Sequence, residues 1–255
     1  MLDTIRHDAI VELRLARPPV NALDPQLVAA LRSAIDAAPA HGARGIVLSG
    51  RPGMYCAGLD VPALLQLDQA TLKHFLRDFF ELCGAIACSP IPVVAAITGH
   101  SPAGGAVLSI FCDYRVMARS VDPAKPFRIG LNEVQVGLSV PALIQFGLQR
   151  LIGAYRAERL MVAGAMLEAE QALQIGLVDE LADIDQVVPR ALTWLQDLLR
   201  LPPQAMSTTR RLARRDLTET FADPRKWLLD EFAAAWFADE TQGVLKNLVA
   251  RLKKA

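Results

Sequence analysis

"PVVAAITGHSPAGGAVLSIFCDYRVMA", residues 92 to 118, decides the fold. It opens on the apolar run "PVVAAITG" (92 to 99), which has the length of a buried strand, and closes on a second such run, "DYRVMA" (113 to 118). Between them Gly104 and Gly105 lead into an uncharged apolar stretch that reads as a buried helix. Glycine is a poor helix former, so its place at a helix start needs a reason. One reason is a backbone that comes close to a ligand and frees N–H groups at a helix N-terminus for negative charge. The other is close packing against another strand. On either reading the stretch predicts strand, turn, helix and strand, and therefore an α/β core.

The same alternation extends outward. "GIVLSG" (45 to 50) is a third buried-strand run, and 69 to 88 is a long helix whose Leu72, Phe75, Leu76, Phe79, Leu82 and Ile86 form one apolar stripe. Upstream, "AIVELRLA" alternates Ala9, Val11, Leu13 and Leu15 with Ile10, Glu12 and Arg14, the pattern of a half-buried strand. "RPPVNAL" breaks it, Asp24 and Pro25 form an N-cap and first-turn pair, and Leu27, Leu31 and Ile35 recur at helical spacing. Beyond about residue 190 only helical patterns remain. The expected organisation is an α/β core over 1–190 with a helical region over 191–255. Trp227, Phe232, Trp236 and Phe237 concentrate aromatic area in that region, either for a subunit interface or for an intramolecular helical layer.

Composition narrows the function. With 52% hydrophobic and 21% charged residues the chain reads as a soluble globular protein and not a disordered one. Its 27 basic and 27 acidic side chains cancel, so no overall field favours nucleic acid or an anionic membrane, and neither is expected as a partner. Any anionic ligand has to be met locally. Cys56, Cys83, Cys88 and Cys112 lack paired spacing and sit in apolar company, which suits a reducing compartment. No apolar run approaches the ~18 residues of a membrane span. The first residues enter a strand pattern instead of a signal peptide, and "KKA" is not a peroxisomal tripeptide, so a cytoplasmic location is expected.

Two further segments look out of place as scaffold. "YCAGLD" (55 to 60) is a small-residue turn ended by Asp60, whose carboxylate suits a helix cap. In "FRIGLNEVQVGLSVP" (127 to 141), Glu133 stands among Leu131, Val134 and Val136. A carboxyl in such surroundings either has a raised pKa and serves as a general base, or lies at the surface as an ordinary glutamate. His7, His41, His74 and His100 show no ligand spacing, so no metal is expected. Ser101 is not in a nucleophile elbow, and the glycines match neither a dinucleotide fingerprint nor a P-loop. Arg210, Arg211, Arg214 and Arg215 fall along one helix edge, either a solvated face or a receiver of ligand phosphates.

Taken in order, "RPPVNAL", "YCAGLD", the stretch 92 to 118, "IGLNEVQVGLSVP" and "AERLMVAGAMLEAEQALQIGLVDEL" (157 to 181) resemble the crotonase superfamily, the enoyl-CoA hydratase/isomerase family. Within it, "SPAGG", "CDYRVMA" and "GLNEVQVG" look most like the mitochondrial-type Δ3,Δ2-enoyl-CoA isomerases. The resemblance implies a spiral of ββα units with a C-terminal helical trimerisation region, assembled as a homotrimer or a hexamer. It implies an acyl-CoA substrate and no cofactor, coenzyme A being part of the substrate.

Carried over by position, Leu59 and Gly104 supply the two backbone N–H groups of an oxyanion hole. Val20, Ala22 and Ala57 line the CoA groove, Gly58, Asp60 and Gly105 complete the substrate-binding turns, and Arg17 meets a CoA phosphate. Asp113 is read as a structural carboxylate. One departure counts: hydratases of the family carry a glutamate where this chain has Val107, whereas the second hydratase glutamate corresponds to Glu133. Hydration is helped by two carboxyl groups and a 1,3-shift of a double bond needs one base, so the implied function is Δ3,Δ2-enoyl-CoA isomerisation in fatty-acid β-oxidation. The rivals are another crotonase-type reaction (hydration, thioester hydrolysis or decarboxylation) and a non-catalytic acyl-CoA- or RNA-binding relative.

Overall fold

A computed structural model describes residues 1–252. Strand β1 (Leu2–His7) turns at Asp8 into β2 (Ile10–Leu15), forming an antiparallel hairpin. Helix α1 (Pro25–Ala37) starts as its cap dictates: the Leu27 N–H donates to Asp24 at 2.8 Å, and Pro25 fills the first turn, where no N–H is needed.

The chain then winds in repeated turns, each laying one strand in a large sheet and one in a small sheet before a helix. The first turn holds β3 (Gly45–Ser49), β4 (Gly53–Met54), α2 (Val61–Leu64) and α3 (Gln69–Ala87). The second holds β5 (Val93–Ile97), β6 (Gly99–Pro102) and α4 (Gly104–Ile110). The third holds β7 (Tyr114–Ala118), β8 (Arg128–Gly130), a 3₁₀ turn over Glu133–Val136, α5 (Ala142–Ile152) and α6 (Ala154–Ala163). After β9 (Leu167–Glu168), α7 (Ala169–Gln174), β10 (Glu180–Ala182) and α8 (Val187–Leu199) the chain is helical. It runs through α9 (Pro203–Ala213), α10 (Arg215–Phe221), a 3₁₀ turn at Pro224–Trp227, α11 (Leu229–Trp236) and α12 (Asp239–Leu252).

The large sheet has the order β1-β2-β3-β5-β7-β10 and the small one β4-β6-β8-β9. From β2 to β10 the large sheet is parallel, with Ile46 opposite Val11 on one side and Val93 on the other. This is the α/β spiral of ββα units expected from the sequence. The central strands β2, β3, β5 and β7 are covered on both faces, as parallel strands with crossover helices must be. Ile46 and Leu48 join the larger core with Leu27 and Leu31 of α1 and with the stripe of α3. Val47, Val94, Ala96 and Val116 point the other way, onto Val187, Ala191 and Leu195 of α8.

Several expectations are corrected. The run at 92 to 99 is not one strand: β5 ends at Ile97, and Gly99 opens β6 in the other sheet. The N-terminal pattern is a two-stranded hairpin, and β2 is buried on both faces instead of one. Glu12, 1% exposed, is tolerated there because the Ser49 hydroxyl (2.7 Å) and Arg14 (3.1 Å) donate to its carboxylate and His7 lies 2.9 Å from it. Burial opposes its charge, but these bonds outweigh burial and hold its pKa below the ordinary glutamate value. The boundary at 190/191 falls inside α8, a helix that belongs to the sheet, so the helical layer proper begins at α9.

Trp227, Phe232 and Trp236 are buried in their own chain, and only Phe237 is substantially exposed. Cys88 is exposed, against the expectation of four apolar sites, while Cys56, Cys83 and Cys112 are buried free thiols. The arginine edge is no free face either. Arg210 grips Asp113 with two bonds (2.7 and 2.8 Å), and Arg214 is buried against the carbonyls of Ala87 and Phe111. Asp113 also accepts the Val93 N–H at 2.8 Å, which makes it the structural carboxylate expected from the sequence. Among the described residues no helix is long and apolar enough to cross a membrane.

Candidate active site

The three segments singled out in the sequence meet at one cavity of about 780 Å³. Arg17–Ala22 and the 54–62 turn form one end, with Ala103, Gly104 and Val107 of the α4 start beneath them. Asn132 and Glu133 face in from the 3₁₀ turn. Leu76, Phe79 and Phe80 of α3 and Phe232, Trp236 and Leu248 of the last two helices make the apolar remainder.

The first two segments are stitched together by backbone. Leu23 N–H donates to the Gly58 carbonyl (2.8 Å), Asp60 N–H to the Leu23 carbonyl (3.0 Å) and Ala57 N–H to the Val20 carbonyl (3.1 Å). Asn21, fully buried, fastens the same junction: its side-chain amide donates to Tyr55 (3.0 Å) and accepts the Arg17 N–H (3.0 Å). Its importance was not read from the sequence, although an Asn in left-handed backbone (φ +54°) is a common turn device.

The glycines at the opening of α4 divide the two explanations between them. A Cβ on Gly105 would stand 2.4 Å from the Cys56 carbonyl oxygen, so that glycine is required by packing. Gly104 starts the helix, where an N–H has no intrahelical acceptor. Neither its N–H nor that of Leu59 finds an acceptor among the described residues. The two amides are neighbours: a Cβ on Gly58 would lie 3.1 Å from the Gly104 nitrogen, and Gly58 takes φ +89°, a conformation open to glycine. Ala103, just before Gly104, holds φ +44° and ψ −117°, a strained geometry for a residue with a side chain. Its N–H donates to the Gly130 carbonyl at 2.8 Å and its carbonyl accepts from Val107 at 2.9 Å, so strand and helix fix the strained peptide from both sides.

Glu133 projects from the start of its 3₁₀ turn into the same cavity. Burial pushes its carboxyl up to about 7, opposed only by its own backbone N–H, which favours the charged form. One oxygen, Oε2, is buried without a hydrogen-bond partner. The other cavity carboxyl is engaged: Asp60 accepts from Arg17 at 2.6 Å and caps α2 through the Ala63 N–H at 3.0 Å. Arg17 is paired with Asp24 as well, at 2.9 Å. An arginine at the cavity mouth is thus already neutralised by two carboxylates of its own chain.

Of the residues named from the sequence, Val20, Ala22, Ala57, Leu59, Asp60, Gly104 and Glu133 line the cavity. Gly58 and Gly105 lie behind its wall, where they let the two turns approach. The contribution of Phe232, Trp236 and Leu248, from the far end of the chain, was missed. An apolar stripe gives no sign of whether it faces a core or a cavity.

Such a site can polarise a carbonyl between two amides and move a proton with one carboxyl. Comparison with known proteins narrows the chemistry. The family profile described as "Enoyl-CoA hydratase/isomerase" matches residues 6–247. The human protein named "Enoyl-CoA delta isomerase 1, mitochondrial" is 29% identical over 247 residues, 96% of this chain and 80% of its own length. The crystal structure of human mitochondrial delta3-delta2-enoyl-CoA isomerase superposes with a TM-score of 0.91 at 28% identity, covering 99% of this chain and 98% of that one. An enoyl-CoA hydratase from Mycobacterium ulcerans superposes with 0.81 at 28% identity, covering 92% and 99%.

Proposed function

The chain belongs to the enoyl-CoA hydratase/isomerase family, and from that premise we propose that it is a Δ3,Δ2-enoyl-CoA isomerase of fatty-acid oxidation. The observation that carries the reading is the inventory of the cavity. Glu133 is its one carboxyl without a cationic partner, and Val107, buried and apolar, stands where a hydratase would carry a second carboxylate.

In the proposed reaction the thioester oxygen of a 3-enoyl-CoA sits between the Leu59 and Gly104 N–H groups. The Glu133 carboxylate takes a proton from C2, and the electron pair delocalises into a dienolate whose charge rests on that oxygen. Preoriented amides in a water-poor cavity are suited to this charge, each worth about 3 kcal/mol in the transition state. Protonated Glu133 then returns the proton to C4, which converts the C3–C4 double bond into C2–C3 and restores the carboxylate. A raised carboxyl pKa serves both halves, since the group must accept and release the same proton.

On this reading coenzyme A enters as part of the substrate, with no further cofactor, and the protein works as a homotrimer or hexamer in the cytoplasm. Glu133→Gln should lower turnover of 3-enoyl-CoA by at least about a hundredfold while acyl-CoA affinity stays within a few-fold. Undiminished turnover in that variant would remove Glu133 from the mechanism. Family members named as hydratases make hydration the second reading. Supplying 2-enoyl-CoA and 3-enoyl-CoA in parallel separates the two, and faster hydration than isomerisation would favour the hydratase.

A further inference from the structure

The turn that carries Glu133 is four residues long, and its bonds are those of a single 3₁₀ turn, such as Gly137 N–H to the Val134 carbonyl at 3.2 Å, with Leu138 N–H closing back on the Glu133 carbonyl at 3.1 Å. Two outside contacts fix it. On one side Gln135 donates its side-chain amide to the Gly164 carbonyl at 2.8 Å, at the end of α6. On the other, the Thr241 hydroxyl donates to the Gly137 carbonyl at 2.7 Å across 104 residues of sequence. Thr241 is 4% exposed, so this is an inward contact and not a surface bond.

Gly137 closes the turn. Its φ is +77°, its N–H returns to the carbonyls of Glu133 and Val134, and a Cβ on it would stand 3.2 Å from the Thr241 Cα. A displacement of Gly137 is therefore passed directly to the peptide of Glu133. Thr241 also lies in the first turn of α12, the helix that supplies Leu248 to the cavity wall, so one rigid element touches both the end of the catalytic turn and the space for the acyl chain.

We propose that Thr241 is a positioning residue: by holding Gly137 it sets the place of the turn from which the Glu133 carboxyl reaches the substrate. The inference rests on Glu133 acting as the base, and small misplacements of such a group weigh heavily on rate, with 1 Å costing on the order of a hundredfold. Thr241→Val keeps the shape and removes the donor. Its kcat on 3-enoyl-CoA is expected to fall about tenfold or more, with KM within about twofold, and Thr241→Ser, which restores the hydroxyl, should recover most of the loss. Amide hydrogen exchange across residues 131–138 is expected to quicken in Thr241→Val and not in Thr241→Ser.

Unchanged exchange in Thr241→Val overturns the tether, whatever reaction the protein catalyses. A folded Thr241→Val with wild-type kcat, or a Thr241→Ser as impaired as Thr241→Val, overturns the positioning role. Absence of isomerase activity in the unmodified protein would instead count against the proposed reaction, with hydrogen exchange still deciding on the tether.

Discussion

The proposed reaction needs Glu133 charged at rest and protonated halfway through a turnover, and burial brings these states close in energy by raising its carboxyl to about 7. Two consequences can be measured. Isomerase activity should rise with pH through about 7 as one proton leaves Glu133 and level off above it. Stability should run the other way. The folded pKa lies above the ordinary 4.5, so between about 4.5 and 7 the folded protein binds more protons than the unfolded chain and loses stability as pH rises through that window. Glu133→Gln removes this penalty, about 3 kcal/mol, so its thermal midpoint should exceed that of the wild type at pH 8 and converge with it near pH 4.5. The burial of Glu133 was half legible in the sequence: a carboxyl among valines and leucines is conspicuous, but that pattern alone left an ordinary surface glutamate open and only the resemblance gave it a role. Leu59 was singled out only by resemblance, because the role proposed for it belongs to its backbone, and the strained peptide at Ala103 not at all, because alanine gives no sign of a positive φ.

The strands at 45–49 and 114–118 and the helix at 69–87 declared themselves through short apolar runs and a 3.6-residue stripe. The element that escaped was β6. It continues β5 after a single buried residue, Thr98, and no change of hydrophobic period marks where one sheet is left for the other. Elements joined by buried charge are equally silent in a linear reading. Asp113 ties the start of β5 to α9 through Val93 and Arg210, and Arg214 lies 3.3 Å from the same carboxylate. Neither guanidinium looked different in the sequence from the exposed Arg215, the next residue after Arg214, since helical spacing alone does not say which side is covered. Asp113→Ala should leave the buried Arg214 and the half-buried Arg210 without their carboxylate and cost about 3 to 5 kcal/mol, measured by denaturant unfolding, with little change in kcat per folded molecule.

At the scale of the whole molecule, the proposed assembly has to use the apolar surface that the chain leaves uncovered. Trp227, Phe232 and Trp236, the side chains with the most area to offer a partner, are spent on the protein's own interior. Tyr155 and Val162 remain 72% and 75% exposed, seven residues apart and so on one face of α6. Sedimentation equilibrium is expected to give a mass of three chains or a multiple of three, and Val162→Asp should shift it toward one chain if this face is buried between subunits. The order of the motifs and the α/β alternation were readable from end to end. What covers the cavity was not, because residues brought together from opposite ends of a chain leave no joint pattern in it.

That distance in sequence has a consequence for synthesis. The loop at Arg17–Ala22 leaves the ribosome well before Phe232, Trp236, Thr241 and Leu248, which follow it in the chain by more than about two hundred residues. A nascent chain can therefore complete its spiral and still display an open trough in place of a pocket, with its acid-base group loosely held. The wall of the pocket is finished only when α11 and α12 dock, so the cavity that the proposed reaction needs is the product of the fold's two most distant parts.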